Sequence, residues 1–199
     1  VYSHPERTFR KILAEHGIVK SIEEVRQALI RGNKEFDADS HIGLSAHEFY
    51  TQWNLVQLKH LGVEGSKARK LAEEIDTTWF KYAKLYLYPD VRRTLRKLKK
   101  IGLKMGIITG GYAADIEQIL PRVGLEEVFD VCVGTDTAGK RKPHPKTFKY
   151  ALEQLGVKPE EAVFVGDNFQ ADYLGAQKAG MMPVLIRRKE PEEQRLFTD

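Results

Sequence analysis

The sequence is poor in cysteine and has no long hydrophobic run. Cys132 is the single cysteine among 199 residues, which excludes an intramolecular disulfide. It lies within the apolar run 129–133, a position that predicts a buried thiol and fits a reducing, cytoplasmic setting. No stretch approaches the roughly 20 apolar residues of a membrane-spanning helix, and no signal peptide is visible. We therefore expect a cytoplasmic protein without a membrane partner.

The chain also lacks a strong excess of charge of one sign. Its 32 Lys and Arg residues exceed its 28 Asp and Glu residues by four, and the positive residues are spread along the sequence. The densest basic stretch, Arg92–Lys100, carries Val91, Leu95 and Leu98 at helical spacing, which favours a solvated helix face over a binding patch. The composition therefore implies no nucleic-acid partner. We expect a monomer or a homodimer.

The first part of the chain, up to Tyr88, has helical periodicity throughout. Ser21 is a candidate helix N-cap, and the polar run Asp37–Gly43 separates two of the helical stretches. Apolar residues recur at helical spacing in four stretches, 9–16, 22–29, 49–60 and 71–82. These patterns predict a small bundle of four helices over residues 1–88.

From residue 89 to residue 199 short apolar runs alternate with helical patterns. Gly102, Gly124, Gly156 and Gly180 follow the predicted helices, where a left-handed residue is favoured. The predicted strands are 103–109, 128–133, 162–165 and 182–186. This alternation predicts an α/β fold with a doubly wound parallel sheet, in which ligands bind at the carboxyl ends of the strands.

Thr109, Gly110 and Gly111 follow the first predicted strand. A hydroxyl beside two glycines, with a helix next in sequence, offers a side-chain donor and bare backbone N–H groups to an anion. The residues equally fit a plain strand-to-helix turn with Thr109 as a cap. Both interpretations stay open at this level.

Lys142 lies in the loop that follows the second predicted strand, directly before Pro143. Pro143 and Pro145 stiffen the segment, which would hold the Lys142 ammonium as a fixed positive charge. Taken alone, the loop is better explained as a basic surface segment. His144 is expected to pack or to cap the next helix, because no second histidine lies at metal-ligand spacing.

Asp167 and Asp172 follow the third predicted strand. Two carboxylates at the end of a strand and just inside a helix suit a hard cation such as Mg²⁺. The alternative is that they cap the helix and complement its dipole. A phosphate ester carries a charge of about −1.5 to −2, which the two carboxylates would repel. Mg²⁺ and Lys142 would offset that repulsion. No activated nucleophile is evident in the sequence.

The ordered segments Ile-Thr-Gly-Gly, Lys-Pro-His-Pro and Gly-Asp-Asn-Phe-Gln-Ala-Asp resemble motifs two, three and four of the haloacid dehalogenase (HAD) superfamily. The resemblance implies a HAD-like, Rossmann-type core over 89–199 and an inserted α-helical C1 cap over 1–88. It also implies that Thr109 and Gly110 bind a phosphoryl group and that Lys142 orients and neutralises it. By the same resemblance, Asp167 would ligate Mg²⁺ and Asp172 would support the metal shell.

The first motif of that superfamily, a strand ending Asp-x-Asp-Gly-Thr, is absent from the sequence. Its first aspartate is the nucleophile that becomes an aspartyl phosphate. The single Asp-x-Asp, at 37–39, has no apolar strand before it, so we interpret it as a cap loop. We expect the motif strand to lie just before Val1. Counting the motif strand as the first of the family's sheet, its absence would leave a gap between the second and fourth strands.

The favoured function is a Mg²⁺-dependent phosphatase for a small phosphorylated metabolite. A 2-haloacid dehalogenase needs no metal, so two acidic residues argue against it, and a receiver domain would carry its acids and its Lys in the opposite order. An inactive HAD-like binding module is the remaining alternative. Four aromatic residues could line a cap pocket but fit a bundle core better, namely Trp53, Trp79, Tyr86 and Tyr88.

Overall fold

A computed structural model describes residues 3–188 of the chain. Its first part is a helical bundle that follows the four predicted helical stretches. At the start of the second helix, the Ser21 side chain accepts a hydrogen bond from the Glu24 N–H (3.1 Å) and the Glu24 carboxylate accepts one from the Ser21 N–H (2.8 Å). This capping box confirms Ser21 as the N-cap. The helices are α1 (Pro5–Glu15), α2 (Ile22–Glu35), α3 (Ala46–His60) and α4 (Ser66–Tyr82).

The apolar stripes of α1 to α4 face one another and form the core of the bundle. Trp53 and Trp79 pack against this core while remaining partly exposed, as the sequence analysis favoured for these aromatic residues. The Trp53 indole N–H reaches Asn33 at 2.9 Å, which satisfies its one donor. The fully buried residues of the core include Phe9, Ile12, Leu13, Val25, Leu58 and Ile75.

The second part alternates strands and helices, as predicted. The first strand is shorter than the predicted run 103–109, and just before it the Met105 N–H donates to the Asp130 carboxylate (2.8 Å). The helices are α5 (Val91–Lys100), α6 (Ala113–Arg122), α7 (Thr135–Ala138), α8 (Pro145–Leu155) and α9 (Leu174–Lys178). The strands are β1 (Gly106–Ile108), β2 (Val131–Val133), β3 (Val163–Gly166) and β4 (Met182–Leu185).

The strands form two parallel pairs. β1 pairs with β2, with Ile107 opposite Cys132, and β3 pairs with β4, with Val165 opposite Val184. Within residues 3–188 no hydrogen-bonded ladder joins β1 to β3. The α/β class is confirmed, and the separation falls where the sequence analysis expected a gap in the sheet.

Helix α8 packs against both strand pairs. Phe148 on α8 is fully buried and belongs to a cluster with Ile108 of β1 and Val133 of β2. Its ring also meets the Phe164 ring of β3 edge to face, with centroids 5.0 Å apart. The apolar contacts of one helix therefore connect strands that share no ladder.

The predicted helix that ends before Gly180 does not begin as a regular α-helix. Residues Phe169–Tyr173 form a π-helical turn, and regular α9 follows it. The turn is wide because the Asn168 carbonyl accepts from both the Asp172 N–H (2.8 Å) and the Tyr173 N–H (3.2 Å). Single π-helical turns of this kind are frequent at functional sites.

The buried thiol predicted at Cys132 was also wrong, because Cys132 is only half-buried. Its partial burial still raises the pKa of the thiol, so the group stays protonated near neutral pH. Among the helices in residues 3–188, none has both the length and the apolar character needed to cross a bilayer.

Candidate active site

The Lys142 ammonium joins the carboxyl ends of the two strand pairs. It donates to the carbonyl of Ile108, the last residue of β1, at 3.1 Å, and to the Asp172 carboxylate, which follows β3, at 2.7 Å. The side chains of Lys142 and Asp172 are only 15% and 6% exposed. Because an ammonium has three N–H bonds, these contacts leave one N–H without an acceptor among the described residues.

The loop around Lys142 is fixed at both sides. The Lys140 carbonyl accepts from the Thr147 hydroxyl at 2.8 Å, which ties the loop to the first turns of α8. The His144 ring nitrogen accepts from the Lys146 N–H at 3.1 Å, so His144 caps α8, one of the two roles expected for it. These contacts hold Lys142 as the fixed cation that the proline spacing predicts.

Asp172 is buried with both carboxylate oxygens engaged. One oxygen pairs with Lys142, and the other accepts from the Asn168 N–H at 3.0 Å. Gly166 lies directly against it, since a Cβ built on Gly166 would stand 2.4 Å from three Asp172 atoms. Glycine at this position therefore makes room for the carboxylate. The neighbouring ammonium, rather than a helix dipole alone, neutralises the Asp172 charge.

Asp167 differs from Asp172 in its surroundings. It is exposed, and nothing in the part of the chain that the structure describes hydrogen-bonds or ion-pairs with its carboxylate. The same residues contain no group of three or more His, Cys, Asp and Glu side chains suited to a metal. Mg²⁺ is commonly held by one or two carboxylates together with water and substrate phosphate. The free oxygens of Asp167, close in sequence to Asp172, fit that donor chemistry.

Thr109 begins a tightly held loop after β1. Its N–H donates to the Val133 carbonyl (2.9 Å), and its hydroxyl oxygen accepts from the Gly111 N–H (3.1 Å). The carbonyls of Gly110 and Gly111 accept from the Thr135 hydroxyl (3.1 Å) and the Thr135 N–H (2.8 Å). The Gly110 N–H has no acceptor within residues 3–188. We call residues 109–111 the Thr109 loop.

These features place unsatisfied donors and a fixed cation at one end of the strand pairs. Lys142 contacts the residue that immediately precedes Thr109, and Asp172 holds the other side of the ammonium. No hydrogen bond connects Thr109 or Asp167 directly to Lys142 among the described residues. The arrangement is suited to bind a dianionic group through backbone and side-chain donors.

A second set of polar residues, not predicted from the sequence, lies beside the Thr109 loop. The Tyr50 hydroxyl on α3 donates a hydrogen bond to the Asp115 carboxylate on α6, and that carboxylate also accepts from the Tyr112 N–H at 3.0 Å. Burial raises the pKa of both Tyr50 and Asp115. Asp115 stands three residues after Tyr112, the spacing of a capping residue, but 65 positions separate it from Tyr50. No local pattern in the sequence could have paired them.

Comparison with known proteins shows the family of this chain. The sequence profile of the haloacid dehalogenase-like hydrolases matches residues 13–186, which is most of the chain. The chain belongs to this family. The resemblance stated from the three motifs is thereby confirmed, and the protein is a HAD-like hydrolase.

Several relatives of this HAD-like hydrolase are phosphatases by name. A glyceraldehyde 3-phosphate phosphatase of Methanopyrus kandleri is 46% identical over 108 residues, which cover 54% of this chain and 46% of the relative. The chain thus spans about half the length of the phosphatases that it matches in this group.

Two solved structures agree with the HAD fold over most of the chain. A HAD phosphatase from Thermococcus onnurineus is 30% identical with a TM-score of 0.58, covering 94% of this chain and 78% of its own. A 2-haloacid dehalogenase from Pseudomonas syringae is 25% identical with a TM-score of 0.66, covering 95% of this chain and 82% of its own.

Proposed function

We propose that this HAD-like hydrolase is a Mg²⁺-dependent phosphatase that acts on a small phosphorylated metabolite. The observation that carries the proposal is the partly buried Lys142 ammonium, held between Ile108 and Asp172 beside the Thr109 loop. The glyceraldehyde 3-phosphate phosphatases among the relatives support it. Because the aligned region is about half of those relatives, their substrate is a starting point for a screen only.

The proposed phosphate contacts are made by hydrogen-bond donors that have no acceptor within the protein's described residues. The Gly110 N–H and the remaining N–H of Lys142 have no acceptors in the described part of the chain, and the Thr109 hydroxyl can still donate its proton. Three such donors can meet three oxygens of a phosphate ester. In the proposed roles, Thr109 and Gly110 bind the phosphoryl group, and Lys142 orients it and offsets its charge.

Asp167 is the proposed ligand for Mg²⁺, and Asp172 supports the metal shell. Bound there, Mg²⁺ would neutralise negative charge on the transferring phosphoryl group. Asp172 has a second proposed task, because its carboxylate keeps the Lys142 ammonium in place. The helical bundle α1 to α4 is the proposed cap, with the division from the core at about residue 88.

The proposed nucleophile is the first aspartate of the family's first motif, which the 199 residues do not include. In the proposed reaction its carboxylate attacks phosphorus, the P–O bond to the alcohol breaks, and the second aspartate of the same motif protonates the leaving oxygen. That aspartate then takes a proton from the water that hydrolyses the aspartyl phosphate. The separation between β1 and β3 supports a position for that strand between the two pairs. Asp37 supports the interpretation of the Asp-x-Asp at 37–39 as a cap loop, because its carboxylate accepts from the Asp39 N–H (3.1 Å) within an exposed turn.

A screen of phosphate esters, with and without Mg²⁺, tests the proposal on the protein made from its complete reading frame. Glyceraldehyde 3-phosphate opens the panel, and released inorganic phosphate is measured. We expect release that requires the metal. Asp167→Asn should lower the rate about 100-fold because a carboxylate ligand becomes a neutral amide. Asp39→Asn, at an equally exposed aspartate of the loop 37–39, should leave the rate unchanged.

Two outcomes would contradict the proposal. One is the absence of metal-dependent phosphate release across the whole panel. The other is halide release from a 2-haloacid without any metal, which would favour the dehalogenase alternative.

A further inference from the structure

Two hydrogen bonds connect the helical bundle to the start of α6, and they run in opposite directions. Tyr50 of the bundle donates its hydroxyl proton to the Asp115 carboxylate. Tyr112 donates its hydroxyl proton to the Leu44 carbonyl of the bundle at 3.2 Å. The Tyr112 ring also lies against the Phe49 ring, with centroids 5.2 Å apart. We call these five residues the bundle contact.

The bundle contact lies directly beside the Thr109 loop. A Cβ built on Gly111 would stand 2.8 Å from both the Tyr50 hydroxyl oxygen and an Asp115 carboxylate oxygen, and 3.6 Å from the Thr109 hydroxyl oxygen. Three oxygens from three elements therefore converge over one glycine. The Tyr50 hydroxyl of the bundle therefore lies against the backbone of the Thr109 loop, which we propose binds phosphate.

Asp115 is one of the groups that fix the backbone of this loop. The Gly111 N–H is bonded to Thr109, and the Gly111 carbonyl accepts from Thr135. The next N–H along the chain, that of Tyr112, donates to Asp115 at 3.0 Å. With these neighbours occupied, Gly110 is left as the free donor. The position of the Asp115 carboxylate therefore helps to decide which N–H group faces a ligand.

Tyr50 is suited to hold Asp115 in that position. Burial raises the pKa of the Tyr50 phenol, so the hydroxyl keeps its proton and remains a donor at neutral pH. Asp115 is itself partly buried and has two donors, the Tyr50 hydroxyl and the Tyr112 N–H. Without the hydroxyl, the carboxylate would have one donor fewer and would be free to turn away from Tyr112.

We propose that Tyr50 and Asp115 are positioning residues for the Thr109 loop, through which contact with the bundle sets the loop conformation that binds phosphate. The inference rests on the proposed phosphatase function for its kinetic consequence. Neither residue needs to touch the substrate. Tyr50 acts on Asp115, and Asp115 acts on the Tyr112 N–H and the loop before it.

Hydrogen exchange of residues 109–115 tests the structural half without any substrate. Tyr50→Phe removes only the hydroxyl, and we expect exchange in this segment to become about tenfold faster, the equivalent of one ordinary hydrogen bond. The matched control is Tyr82→Phe, because the Tyr82 hydroxyl also donates to a carboxylate, that of Glu15, but within the bundle. The control should accelerate exchange in the bundle alone.

The kinetic consequence is tested with the same variants, on the ester that the wild-type protein hydrolyses fastest in the screen. Tyr50→Phe should lower kcat/KM about tenfold and weaken inhibition by inorganic phosphate by a similar factor, whereas Tyr82→Phe should change neither. In an Asp115→Ala background, Tyr50→Phe should have no further effect on either quantity.

Three results would overturn the inference. They are unchanged exchange at 109–115 in Tyr50→Phe, an equal rise in Tyr82→Phe, and faster exchange in Tyr50→Phe with kcat/KM unaltered. If the wild-type protein releases no phosphate from any ester, the proposed function fails, while the exchange experiment still decides whether the bundle positions the loop.

Discussion

Replacing Lys142 with methionine is expected to abolish phosphate release and to lower the free energy of unfolding by about 3 kcal/mol. Methionine is similar in length but has no charge, so the nearly buried Asp172 carboxylate would lose its cation. The Ile108 carbonyl would lose a donor in the same substitution. Urea unfolding measures the loss of stability, and phosphate release at saturating ester measures the loss of activity.

Lys59→Met is the matched control for that substitution. Lys59 also forms an ion pair, with Glu35 at 2.8 Å, but both partners are exposed. Exposed pairs contribute about 0 to 1 kcal/mol, so the control should alter stability little and activity not at all. Equal destabilisation by the two variants would contradict the role given to burial of the Lys142 and Asp172 pair.

Replacing Gly134 with alanine is expected to destabilise the protein by about 3 kcal/mol and to impair the site. A Cβ on Gly134 would stand 2.2 Å from the Ala113 nitrogen and 2.7 Å from the Tyr112 carbonyl carbon. Both are backbone atoms, so relief requires movement of the helix that follows the Thr109 loop. The φ of −109° at Gly134 suits alanine, and the expected effect is therefore steric.

Gly106→Ala provides the comparison for Gly134→Ala. Its Cβ would meet the Leu155 side chain at 3.2 Å, and a terminal methyl group can rotate away. We expect a cost below about 1 kcal/mol in thermal or urea unfolding. If Gly106→Ala lowered the free energy of unfolding as much as Gly134→Ala, the cost would not depend on whether the added Cβ meets backbone or side-chain atoms.

The sequence predicted most of the secondary structure because its signals are local. Four helical stripes and the Ser21 N-cap lie within single elements and appear where expected. Gly102, Gly124, Gly156 and Gly180 have positive φ values after their helices, as their positions predict. Periodicity and helix-end chemistry need no knowledge of distant residues.

The residues of the candidate site could be predicted from the sequence, but the contacts between them could not. The motifs indicated Lys142 and Asp172, yet their direct ion pair joins residues 30 positions apart and depends on how the strand pairs approach each other. The π-helical turn depends on the Asn168 carbonyl accepting twice, which no periodicity predicts. Tyr50 was missed because its partner Asp115 lies on another structural unit, and only the packed fold brings them together.

The packing of α8 has a consequence for how the core unfolds. Two strand pairs without a common ladder could open independently, each with its own stability. Phe148, however, is buried in a cluster with Ile108 and meets the Phe164 ring edge to face, so opening either pair exposes the same ring to water. The two pairs should therefore melt in a single cooperative transition, because this aromatic side chain couples them in addition to any strand that lies between them.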